Sequence, residues 1–434
     1  MTATTSHPLT VSAPAPLVAR WPAPGSKSHT NRVLAAAALA TGTSTLHHPL
    51  DAEDSRAMRA VVRGLGAHVD DADPGCWRVQ GVGGRPTAPA QPLDARQSGT
   101  TLRFGAALAS LAHTPVTLDG DAQLRRRPIG ALTAALRALG ADAADHDGHP
   151  PVTVGGGLDG GAVTVDARRS SQYPSALLLA APHARAAVTV TAQGLGAPAY
   201  VELTAATLRA FGGAVSRLAE DRWWVAADGL DAAAVTVDPD ASAAAHLLAL
   251  AAAVPGTVTV DGAAPTDQPD AAVPDLLAAM GCDVVRADAA VTVTGPARLR
   301  PLTADLAALP DQITTLAALA ALAEGTSHLS GVAVARGHET DRLAALAAEL
   351  GKLGVHVEEE PDGLRIHGGT ASGPAVLDPR DDHRLAMAFA ALAARVPGVA
   401  VADPGCVAKT YPRFWADLAE GGLQVRRHDE EDPR

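Results

Sequence analysis

One pattern recurs six times along the chain. VVRGLGAHV (61–69), ALRALGADA (135–143), TLRAFGGAV (207–215), LLAAMGCDV (276–284), ELGKLGVHV (349–357) and DLAEGGLQV (417–425) each end an apolar-periodic helix on a glycine and pass into strand residues. The shared glycines are Gly66, Gly140, Gly212, Gly281, Gly354 and Gly422, placed where a helix end turns left-handed. A second series runs between them: a polar start, an Ala/Leu-rich helix, a turn and an alternating strand, beginning near Ser28, Ser98, Ser171, Asp240, Asp311 and Asp382. Successive copies lie roughly 70 residues apart, too long for most solenoid repeats and about right for two helices with several strands. Six such units exceed one domain, so three plus three is the natural division. VTVDPDASAAAH (235–246) resembles WPAPGSKSH (21–29). The chain is therefore expected to cross at these points, with residues 22–237 forming one lobe and residues 1–21 joining 238–434 in the other.

Aromatic residues make up only 3% of the chain, so its core must be built from Ala, Leu and Val. The net charge of −12, with no basic run, argues against nucleic acid or an anionic membrane surface as partner. Cys76, Cys282 and Cys406 show neither metal-ligand spacing nor an even disulfide framework. The start MTATTSHPLT lacks the basic and apolar segments of a signal peptide, and the Ala-rich run 241–254 is interrupted by His246. The expectation is a soluble cytoplasmic protein.

Aligned on their helix starts, the six copies put their unusual residues in one slot: Lys27-Ser28, Ser98-Gly99-Thr100, Ser170-Ser171-Gln172, Asp240-Ala241-Ser242, Asp311-Gln312 and Asp382-His383-Arg384. Ser, Thr and Asp there are ordinary N-caps. Lys27 and Arg384 are not, because they add positive charge where the helix dipole is already positive. An anion at those helix ends would resolve the conflict. RRRPIG (125–130), RGHETDRLAAL (336–346) and GCVAKTYPRFW (405–415) supply further cations in Arg127, Arg342 and Lys409, with acids beside Arg342 at Glu339 and Asp341.

In this order, PGSKSHTNR, SGTTLRF, RRRPIG, SSQYPSALLLA, LPDQITTLAALA, RGHETDRLAAL, DDHRLAMAFA and GCVAKTYPRF resemble the 3-phosphoshikimate 1-carboxyvinyltransferase, or EPSP synthase, family, from about Trp21 to Trp415. The resemblance implies an α/β, two-lobed enolpyruvyl-transferase fold of six βαβαββ repeats, three per lobe, with the active site in the cleft between lobes. It implies transfer of the enolpyruvyl group of phosphoenolpyruvate to the 5-hydroxyl of 3-phosphoshikimate, with loss of phosphate, in aromatic amino-acid biosynthesis. It implies no cofactor, no metal and a monomer. Position by position, it assigns Asp311 as proton acceptor and Glu339 as proton donor. Lys27, Ser28, Arg32, Ser170, Ser171, Gln172, Tyr200, Asp311 and His338 would hold 3-phosphoshikimate. Lys27, Gly99, Thr100, Arg127, Gln172, Arg342, Arg384 and Lys409 would hold phosphoenolpyruvate.

The chain departs from the family pattern at several places. His338 stands where many members have lysine, so phosphoshikimate affinity is expected to fall as pH rises past the histidine's pKa. Ala197 replaces a serine and Val334 an asparagine. Gln97-Ser98 replaces Asn-Ala, and Phe104 stands where proline is common. Two other readings compete: the sister enzyme acting on UDP-N-acetylglucosamine, which typically carries a reactive cysteine, and a non-catalytic anion-binding protein on the same fold.

Overall fold

The computed structural model describes residues 7–13, 16–264 and 266–428. Residues 1–6 of the amino-terminal stretch discussed above lie outside them. The chain forms two compact units, one of Met1–Pro24 with Pro239–Arg434 and one of Gly25–Asp238. The first crossing thus falls after Pro24, not after residue 21, because strand Leu17–Pro22 pairs along its whole length with Gly256–Asp261.

Among the described residues, six four-stranded sheets share one plan. Strands Leu93–Asp94 and Val116–Asp119 run parallel, His149–Gly155 adds antiparallel to the second, and Asp142–His146 adds antiparallel to that. The spatial order is first, second, fourth, third. A helix follows each of the first two strands, Gly99–Ala109 and then Gly130–Ala138, which makes the repeat βαβαββ. Three repeats are closed by strands distant in sequence. Ala234–Thr236 is the first strand beside Thr43–His47, Leu17–Pro22 is the first strand beside Gly256–Asp261, and Leu9–Ser12 lies between Val399–Val401 and Gln424–Arg427.

The six repeated glycines all have positive φ, between 77° and 102°. At each, the glycine N–H reaches the carbonyl three residues back and the next N–H reaches the carbonyl five back, as in Gly66 N to Arg63 O and Ala67 N to Val62 O. This double bond satisfies the orphan carbonyls of the helix end and turns the chain into the next strand.

The first helix of each repeat is interior. Lys27–Leu39, Gly99–Ala109 and Gln172–Ala180 pack on one another in one unit; Ala241–Ala253, Ile313–Leu322 and His383–Arg395 do so in the other. Gly99–Ala109 has no residue outside the core, and Ala241–Ala253 only Ser242. A helix apolar on all sides is a buried one, and alanine is the side chain that lets three such helices approach closely. Each unit has its own apolar core around its triplet. Among the described residues no helix is long and apolar enough to cross a membrane.

Candidate active site

In the unit containing the C-terminus, charge concentrates at the N-terminal ends of the interior helices. Asp382 caps His383–Arg395 through a bond from Arg384 N (2.9 Å), and Asp341 caps Arg342–Gly351 through Ala344 N (3.1 Å). Arg342, fully buried, lies at the centre. Its Nε and Nη2 donate to the two oxygens of Asp382 (2.8 and 3.2 Å), and Nη2 also donates to Glu339 Oε2 (2.9 Å). Its Nη1 donates to Asp311 Oδ1 (2.6 Å) and to His338 Nδ1 (2.9 Å). These contacts occupy all five guanidinium N–H groups. Arg384 holds the other oxygen of Asp311 at 3.0 Å, and Lys409 the other oxygen of Glu339 at 3.2 Å. The two carboxylates assigned to proton transfer are therefore each gripped at both oxygens by cations.

Burial would raise the Asp311 pKa, but Arg384, His338 and Arg342 outweigh it and hold the carboxyl well below the usual range. Burial lowers the His338 pKa from its ordinary value more than its Asp311 partner raises it. The same Nδ1 that faces Arg342 also lies 3.3 Å from Asp311 Oδ1. With the pKa lowered, the pH at which affinity is expected to fall moves below the ordinary histidine range. Behind the cluster, His246 Nδ1 meets Thr315 Oγ1 (3.1 Å), which in turn reaches Gln312 Oε1 (3.0 Å) beside Asp311. Burial first, then Arg384 and Arg342, push His246 down to about 3, so it is neutral.

In the unit of Gly25–Asp238, Ser26 and Ser98 cap Lys27–Leu39 and Gly99–Ala109. The cation at the positive helix end has a carboxylate: Lys27 Nζ lies 3.6 Å from buried Asp54, whose backbone carbonyl accepts from Thr101 Oγ1 (3.3 Å). Gln172 links two helix starts, with Nε2 donating to Thr100 Oγ1 (3.0 Å) and Oε1 accepting from Arg103 Nη1 (2.7 Å). Ser170 Oγ accepts Gln172 N at 3.1 Å, and Ser171 begins this helix without a side-chain cap. Arg127 crosses Gly99 so closely that a Cβ there would lie 2.9 Å from its guanidinium carbon. Gly99 is what admits that crossing.

Arg32, expected to hold 3-phosphoshikimate, is engaged within the protein. It is buried; Nη1 donates to Ser28 O, Nη2 to Tyr200 O and Ser175 Oγ, and Nε to Thr204 Oγ1. It ties Ser28 and Tyr200 together, with its guanidinium 5.3 Å from the Phe104 ring centroid. Arg342, expected to hold phosphoenolpyruvate, likewise has every donor engaged within the protein.

A family model described as EPSP synthase (3-phosphoshikimate 1-carboxyvinyltransferase) matches residues 11–418. The chain belongs to the EPSP synthase family. Among relatives bearing the name 3-phosphoshikimate 1-carboxyvinyltransferase, that of Methanosphaerula palustris is 40% identical over 415 residues, spanning 94% of this chain and 98% of the relative. That of Pseudomonas savastanoi pv. phaseolicola is 37% identical, spanning 95% and 97%. The solved EPSP synthase of Acinetobacter baumannii superposes with TM-score 0.81 at 26% identity, covering 97% of this chain and 100% of that one. The enolpyruvyl transferase NikO of Streptomyces tendae shares the fold, at TM-score 0.80 and 20% identity.

Four participants escape a sequence reading: Arg103, Asp54, Asp382 as an Arg342 partner, and His246. Arg103 stands within the SGTTLRF motif, so a signal for it existed. Asp54 had none, being an ordinary acid at a helix start. The EPSP synthase assignment also disposes of the sister-enzyme reading, which wants an activated thiol. Burial pushes Cys282 up to about 11 and raises Cys406 as well.

Proposed function

We propose that the protein transfers the enolpyruvyl group of phosphoenolpyruvate to the 5-hydroxyl of 3-phosphoshikimate, as a cytoplasmic monomer. The observation that carries this reading is the pairing of Asp311 and Glu339 with Arg342, Arg384 and Lys409, an acid and a base set among fixed cations. Both substrates are anions, and holding them in attack geometry can supply about 7–11 kcal/mol of the barrier. Lys27, Ser170, Ser171 and Gln172 hold phosphoshikimate, with Arg32 fixing Ser28 and Tyr200. Gly99, Thr100 and Arg127, with Arg342, Arg384 and Lys409, hold phosphoenolpyruvate.

Glu339 gives a proton to C3 of the enol, Asp311 takes the proton of the 5-hydroxyl, and the C2–O bond forms. Glu339 then takes a C3 proton back from the tetrahedral adduct as the C2–O bond to phosphate breaks, and the proton held by Asp311 leaves with the phosphate. Asp311 held by two arginines is a poor base, because a base works best with a pKa near the working pH. Phosphoenolpyruvate relieves this by drawing Arg342 and Arg384 onto its own oxygens. The freed carboxylate becomes more basic only once substrate is bound.

The test is phosphate release from the two substrates together. Release with 3-phosphoshikimate and none with UDP-N-acetylglucosamine is expected; no release from folded protein would favour a non-catalytic anion binder. Asp311→Asn should cut turnover by roughly 10²–10⁴ while phosphoshikimate still binds. A loss under tenfold would remove Asp311 from the proton transfer.

A further inference from the structure

We propose that His356, Glu358 and His367 form a binding site for a divalent transition-metal ion of the zinc class. The three side chains stand on one face of the antiparallel strands His356–Glu360 and Gly363–Gly368. His356 and His367 are direct cross-strand partners, and Glu358 is two residues along from His356. The opposite face carries Leu364 and Ile366, both fully buried, which fixes the register and hence which side chains face outward.

The donor geometry suits a small ion. His367 Nε2 lies 2.9 Å from Glu358 Oε1 and His356 Nε2 lies 3.8 Å from the same oxygen. All three donor atoms fall within 4.8 Å of one another. Ligands about 2.0–2.2 Å from zinc at tetrahedral angles are separated by roughly 3.3–3.5 Å, between the two observed values. Small side-chain rotations close the difference, and two imidazoles with one carboxylate are a zinc-type donor set.

A second observation concerns the outer contact. His367 Nδ1 meets Thr326 Oγ1 at 3.0 Å on the neighbouring strand. In this structure Nε2 of the same ring donates to Glu358 Oε1 at 2.9 Å; an ion entering there would displace that proton, and Nδ1–H would then donate to Thr326. Such outer hydrogen bonds commonly orient a metal-binding histidine. The His356 and His367 rings stack at 5.0 Å, an arrangement two imidazolium cations would oppose. Arg365 approaches the other oxygen of Glu358, Oε2, at 3.8 Å and so leaves Oε1 to the ion. All three ligands are more than a third exposed, so remaining coordination positions fall to water.

The experiment is calorimetric titration of full-length, tag-free, chelator-stripped protein with zinc chloride, and separately with magnesium chloride. One zinc site per chain is expected, with no magnesium heat. His356→Asn or His367→Asn should weaken it at least tenfold, the double variant should lose it, and Thr326→Val should cost roughly tenfold. Zinc should also slow amide exchange within residues 356–367. All these side chains are exposed or half-buried, and circular dichroism checks that the variants fold. A site retained in the double variant, or absent from the parent protein, overturns the proposal.

Discussion

Arg342 offers the sharpest test of how the charged cluster is built. Replacement by methionine keeps the volume and removes the charge and all five donors. Two of its three carboxylate partners keep a cation: Arg384 still holds Asp311 at 3.0 Å and Lys409 still holds Glu339 at 3.2 Å. Asp382 does not. It is fully buried and retains from these contacts only the Arg384 backbone N–H. Breaking a buried pair by removing one partner costs about 3–5 kcal/mol, and with a single stranded carboxylate the lower end applies. For a unit of about 220 residues, roughly 2–4 °C per kcal/mol gives a fall in Tm of about 6–12 °C. Scanning calorimetry at pH 7 checks the size. In the parent protein Asp311 has a depressed pKa and keeps its contribution at that pH. A Tm change under about 3 °C would refute the reasoning.

Other predictions address the ligands. Gly99→Ala places a methyl 2.9 Å from Arg127 and 3.2 Å from Arg103, both flexible side-chain ends. Melting should be nearly unchanged while KM for phosphoenolpyruvate rises several-fold; a lowered Tm with unchanged KM would contradict this. Because burial lowers the His338 pKa, phosphoshikimate affinity should stay level from pH 7 to pH 9 in titration calorimetry, and His338→Lys should tighten it; a steady decline over that range would show a charged ring. Lys27→Ala should weaken both ligands in the same assay and remove the Lys27 partner of Asp54; an effect on one ligand alone would end its shared role.

Local chemistry wrote much of this molecule. Ser26, Ser98, Asp240 and Asp382 cap helices through bonds two or three residues long, and the six glycines turn helix ends through bonds three to five residues long. Contacts of that range depend on neighbouring residues alone, so the repeat, the helix starts and the motif residues can be read directly. What each cation does is decided elsewhere. Arg32 and Arg342 carry the same charge as Lys409 in the sequence. Yet Arg32 is committed to Thr204 and Tyr200, 172 and 168 residues away, and Arg342 to Asp382, 40 residues away. Likewise His338 reads as a charge switch in the ordinary histidine range until burial lowers its pKa. Hydrogen-bond capacity and desolvation belong to the packed neighbourhood, and only the folded chain assembles it.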